Sequence, residues 1–238
     1  LARSNNFIDL AKGVVGIGNG YNFLPEGISI ASFLAALAYA GAGGNLNLAQ
    51  SFYIKEKGYG MGKYAGKITS LLTGKSKEDV LLTGTTFDVT PENVSKFKVW
   101  WKNINIEHFL IFFLTGSVTI LLLGLLSYVT TYGVSSNLKD IDFVFFEAKA
   151  IGERLFPFMG IFFLMVTGLT LFGTQLTVFD ATSRILTENI VLTTDSKNIP
   201  KIYYVVLWIQ IICGILIFLF GFSQPLQLLT LAAVLNAF

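Results

Sequence analysis

The sequence predicts an all-α integral membrane protein, a helix bundle in which one helix is discontinuous. Three observations lead there. Charged residues make up 13% of the 238 residues, about half the share usual in soluble domains. Three long runs, Phe109 to Thr130, Phe156 to Phe179 and Ile202 to Phe222, hold no Asp, Glu, Lys or Arg. Each exceeds the roughly 18 mostly apolar residues that mark a spanning helix. A buried soluble helix accounts for one such run, not for three. The third observation is a further apolar segment, Ile28 to Leu48, that glycines interrupt.

In that segment an apolar helix is expected to run from about Ile28 to Tyr39. It breaks at Gly41-Ala42-Gly43-Gly44 and resumes through Asn45, Asn47 and Gln50. Each glycine weakens a helix by roughly 1 kcal/mol relative to alanine and permits backbone angles that other residues avoid. Inside a bilayer such a break is tolerated only where protein or a water-filled cavity satisfies the freed peptide groups. A broken helix with amide side chains at the break is therefore a candidate solute or ion site.

The rest of the chain reads as one membrane domain over residues 1–238. Residues 28–51 form the discontinuous helix, 52–107 a cytoplasmic loop, and 108–130, 156–179 and 202–222 the spanning helices. Residues 226–238 begin a further helix. Before the broken helix, Phe7 to Ala11 suits a short helix, and Gly13, Gly16, Gly18 and Gly20 suit a loop. The G-x-G-x-G spacing lacks the preceding strand and the following Lys-Ser/Thr of a phosphate loop. Residues 52–107 carry nine lysines against six acidic residues, which places them in the cytoplasm by the positive-inside rule. Thr90-Pro91-Glu92-Asn93 reads as a helix start, and Trp100 and Trp101 suit the headgroup layer before the next span. A net charge of +2 is too small to suggest nucleic acid. Cys213, alone in an apolar run, excludes a disulfide framework.

His108, the only histidine, has no second His or Cys to share a metal and is read as interfacial. The connection Val134 to Arg154 is slightly acidic, which suits the side opposite the lysines. The next span closes with Gly173-Thr174-Gln175-Leu176-Thr177. Thr174 and Thr177 share a helix face. They either line a site or bond their own helix carbonyls. Asp180 with Arg184, and Arg184 with Glu188, stand at the i,i+4 spacing of ion pairs. Tyr203, Tyr204 and Trp208 lie near one end of the last full span, which carries one amide, Gln210. Leu1 and the apolar end at Phe238 suggest a piece of a longer protein.

The broken helix resembles the sixth helix of the Nramp family of divalent metal transporters, which have the LeuT-type fold of inverted repeats. The family pattern places a small residue, the unwound M-P-H and a later H-S. On this chain these fall on Ala40, on Gly43-Gly44-Asn45 and on Gln50-Ser51. A helix ending G-T-Q-x-T matches the order of the family's eighth helix. The layout runs from the end of the fifth helix to the start of the tenth. Gly43 replaces the family's methionine, a soft ligand, and Ala232-Ala233 stand where Ser-Gln is common. The resemblance is thus to Nramp-related proteins that lack the methionine, some of which carry Mg²⁺.

The resemblance implies a secondary transporter of divalent cations by alternating access, with Mg²⁺ or Mn²⁺ favoured over Fe²⁺ because oxygen ligands suit the harder ions. Protons are the expected coupling ion. No resident cofactor is expected, only the transported cation. The implied ion-binding set is Ala40, Gly41, Gly43, Gly44, Asn45, Asn47, Thr174, Gln175 and Thr177, with the Ala40 carbonyl and Asn45 as metal ligands. The expected partners are the lipid bilayer and the cation, and the expected location is a prokaryotic plasma membrane, crossed several times. Two other readings stay open. A LeuT-type symporter of a small organic solute would turn the same helix amides toward a carboxylate. An enzyme or scaffold is disfavoured, because the spans hold no paired carboxylates, histidine cluster or nucleophile–base set.

Overall fold

The computed structural model describes residues 1–17, 28–37, 44–64, 86–132, 141–194, 198–221 and 225–236. Among the described residues the regular structure is helical throughout. Three helices are long and apolar enough to cross a membrane: Pro91–Thr130, Pro157–Thr194 and Ile199–Leu219. Large apolar side chains such as Leu122, Phe172 and Phe218 lie exposed along them, as suits a surface solvated by lipid tails. The fold is therefore that of an all-helical membrane protein.

Contacts divide the chain into two compact units. The first holds α1 (Ser4–Val15), α2 (Ile30–Leu37), α5 (Gly116–Thr130), α6 (Asp142–Arg154), the first part of a helix α7 (Pro157–Thr194), and α9 (Pro225–Asn236). Helix α1 is longer than the sequence suggests. Gly13 lies within it, and Gly16 closes it with φ 70, donating to Gly13 and Lys12 carbonyls. Here the left-handed angle needs glycine. In this unit α2 packs on α9 through Ala35, Ala233 and Val234.

The second unit holds α3 (Gly44–Lys57), a 3-10 turn (Gly60–Tyr64), α4 (Pro91–Glu107), the later part of α7, and α8 (Ile199–Leu219). The stretch expected to be a loop over 52–107 thus contains substantial helix. Thr90 caps α4 by accepting from the Asn93 amide, and Pro91 occupies the first turn, where its missing N–H costs nothing. With no glycine or proline until Gly116, α4 runs straight into a π-helical segment, His108–Thr115, and then α5. Thr115 donates to the Leu110 carbonyl at 3.0 Å, five residues back.

Helix α7 corrects a second boundary. The helix expected over Phe156 to Phe179 continues to Thr194. Nothing from Asp180 to Thr194 is glycine or proline, and the charged residues there find partners on other helices of the same unit. Helix α8 starts at Ile199, inside the loop expected at Thr193 to Pro200, with Asn198 as its cap. The connection Val134 to Arg154 contains α6, whose buried face is Glu147, Ala148, Ala150 and Ile151.

Candidate functional site

Helix α3, the segment that follows the glycine run, is the centre of polar contacts in the second unit. One side meets the end of α4. Glu107 accepts from Tyr53 and Lys57 and, at 3.1 Å, from the Tyr59 hydroxyl. The Glu107 carboxylate raises both the Lys57 ammonium and the Tyr59 phenol above their ordinary values, chiefly by hydrogen bonding. One residue on, His108 Nδ1 lies 2.9 Å from Gln50 Nε2, so the amide donates to the ring when Nδ1 is unprotonated. The histidine that the sequence leaves at an interface is thus tied to the Gln50 that the resemblance singles out.

The other side of α3 meets α7. Arg184 Nη1 donates to Glu56 Oε1 at 3.1 Å, and Arg184 Nε lies 3.1 Å from Asp180 Oδ2. The second approach is an ion pair without hydrogen-bond alignment, so Nε itself is left without an acceptor. The guanidinium also stands 5.8 Å from the Phe52 ring centre, where a cation is attracted to the π face. Asp180 accepts from the Tyr203 hydroxyl of α8. The Gln210 amide donates to Ser183 Oγ at 2.9 Å. Arg184, Ser183, Thr187 and Tyr203 are all buried. Polar groups withdrawn from water in this way need such partners.

The sequence spacing identifies the Asp180–Arg184 pair correctly. It misplaces Glu188, which faces Lys55 of α3 at 3.8 Å instead of Arg184. Glu56 and Arg184 are 128 residues apart, and no local spacing signals that contact. The excess of lysines over residues 52–107 gives no hint that Lys55 and Lys57 are engaged with acidic groups of α7 and α4.

Of the residues proposed from sequence, Ala40, Gly41 and Gly43 lie outside the described residues. Gly44, Asn45 and Asn47 belong to the first turn of α3, and their side chains lie outside what is described. Thr174, Gln175 and Thr177 stand within α7, exposed, rather than at its end. The Thr177 hydroxyl donates to the Gly173 carbonyl at 3.0 Å, the backbone bond that Thr forms in helices. Among the described residues no three of His, Cys, Asp and Glu gather to hold a metal. In the first unit a cavity of about 370 Å³ lies between α1 and α5, with Asp9 and Tyr128 among aliphatic neighbours. Set against family models, curated proteins and solved structures, the chain matches none.

Proposed function

We propose that this chain is part of a secondary transporter that carries a divalent cation, Mg²⁺ or Mn²⁺ in preference to Fe²⁺, by alternating access with protons as the coupling ion. The observation that carries this reading lies in the sequence, where the Gly41-Ala42-Gly43-Gly44 run separates an apolar segment from the amides Asn45, Asn47 and Gln50. A glycine run within an apolar segment is the pattern in which unwound peptide groups line an ion path. The Ala40 carbonyl and the Asn45 amide oxygen supply hard ligands in this reading, with the glycines giving access to backbone oxygens and Asn47, Thr174, Gln175 and Thr177 supplying further polar groups.

The test is flux. Full-length protein reconstituted in liposomes takes up Mg²⁺ or Mn²⁺, and Asn45→Ala lowers the rate about tenfold, the loss of one good polar ligand. Absence of flux for every divalent ion overturns the proposal. Uptake of a small organic acid without any divalent ion would place the chain among solute symporters instead.

A further inference from the structure

Glu147 of α6 is a carboxylic acid that lies outside the proposed transport site. It is 6% exposed and lies on the face of α6 turned to α5, beside Ala148, Ala150 and Ile151. The Ser127 hydroxyl of α5, which shares a hydrogen bond of 3.0 Å with Thr131, is the group that works against burial in setting the protonation of this carboxyl. The next residue of α6 packs closely on α7. The Ala148 carbonyl rests against Gly160 so closely that a Cβ there would lie 2.4 Å from the oxygen.

The other charged groups of α6 are engaged elsewhere or turned outward. On α6, Lys149 and Glu153 face each other at 3.9 Å, both well exposed, and Arg154 donates to the Val129 carbonyl of α5 at 3.3 Å. Asp142 is exposed at the start of α6. Helix α1, which packs on α5, brings Asp9 and Lys12. Helix α5 and the first turn of α7 have no charged residue. Among the described residues no cation pairs with Glu147. A carboxylate with one hydroxyl and no cation is costly to hold out of water, whereas the neutral acid is not.

We propose that Glu147 is a proton-binding site whose occupancy holds α6 against α5. With the proton bound, the carboxyl and Ser127 form a neutral hydrogen-bonded pair and the helices stay packed. When the proton leaves to bulk water, the carboxylate is driven to hydration, and α6 separates from α5 to supply it. Burial raises the carboxyl above its ordinary value, and the Ser127 hydroxyl opposes this in part. The inference concerns packing within one unit and does not depend on the identity of the transported solute.

Spin labels on Tyr132→Cys and Phe145→Cys, in a Cys213→Ser background in lipid nanodiscs, report the α5–α6 separation as dipolar broadening. The expected result is strong broadening at low pH that is lost in a single titration as the pH rises. Glu147→Gln, which keeps the shape and stays neutral, retains the broadening at every pH. Ser127→Ala removes the bond that favours the charged form and moves the midpoint up by about one pH unit. Broadening that does not change with pH overturns the proposal, as does a Glu147→Gln protein that opens like the parent. Should Glu147→Gln fail to fold, the Ser127→Ala midpoint decides. An upward move supports the site, and an unmoved or lowered midpoint overturns it.

Discussion

Arg184 of α7 meets Glu56 of α3 at 3.1 Å while approaching Asp180 on its own helix at the same distance. A single guanidinium, with its side chain 9% exposed, therefore stands between two carboxylates from two helices. Removing it leaves both acids partly withdrawn from water without their counter-charge.

Arg184→Met is accordingly expected to cost about 3 kcal/mol, the scale of breaking a buried pair by removing one partner. Adding Glu56→Gln to the same protein recovers part of that loss, because one stranded charge is then gone. Unfolding in mixed detergent micelles measures both. Equal stability of the single variant and the parent would remove the pair from any structural role.

The glycines of α7 separate by environment. At Gly160 an added Cβ would collide with the Ala148 carbonyl, so Gly160→Ala forces α6 and α7 apart and costs about 2 kcal/mol. At Gly168 nothing lies within 4 Å of the same atom. Gly168→Ala is expected to be neutral or to stabilise by up to about 1 kcal/mol through helix propensity. Thermal unfolding of the two variants side by side checks the contrast.

Alkaline pH probes the contact between α3 and α4. Lys57 and Tyr59 are both raised, from ordinary values of 10.5 and 10.0, with Glu107 as the leading cause. Folding thus favours the protonated form of each. Their contribution is fully present below about pH 10 and is lost as the pH climbs through the raised values. Glu107→Gln removes the cause, so its stability falls less steeply than the parent's above pH 10. Circular dichroism along an alkaline titration follows this, and parallel curves would contradict it.

Gly60 tests the packing beneath the 3-10 turn. It has φ 54, and a Cβ there would lie 3.0 Å from the Trp100 ring. Gly60→Ala suffers both the left-handed backbone and the indole contact. An expected loss of about 1–2 kcal/mol, with a change in tryptophan emission, distinguishes this site from Gly168.

The long apolar helices were legible because lipid leaves a plain record: runs without charge, longer than a soluble core requires. The start of α4 was legible for the same local reason, since Thr90 and Pro91 act within one turn. The continuity of α4 into α5 was not. Its first half is polar and its second apolar, and the change of composition at His108 looks like a boundary although the backbone passes through it as a π-helix. The extension of α7 was hidden likewise, because Asp180, Arg184 and Glu188 resemble an exit from the membrane until Lys55, Glu56 and Tyr203 are seen to receive them. Glu147 was concealed by its surroundings in sequence, where an acid among Asp140, Asp142 and Glu153 suggests a solvated face. Burial of one acid of that set is a property of helix packing and has no local signature.

Helix α8 has 21 residues, which at the α-helical rise makes about 31 Å, close to the roughly 30 Å thickness of bilayer hydrocarbon. It has almost no surplus length. A thicker bilayer must dimple around it, while a thinner one makes it lean, each at a fraction of a kcal/mol per ångström. Tyr203 and Gln210 bind α7 from fixed points along this rod, at Asp180 and Ser183, so any lean of α8 would be met first at those two contacts.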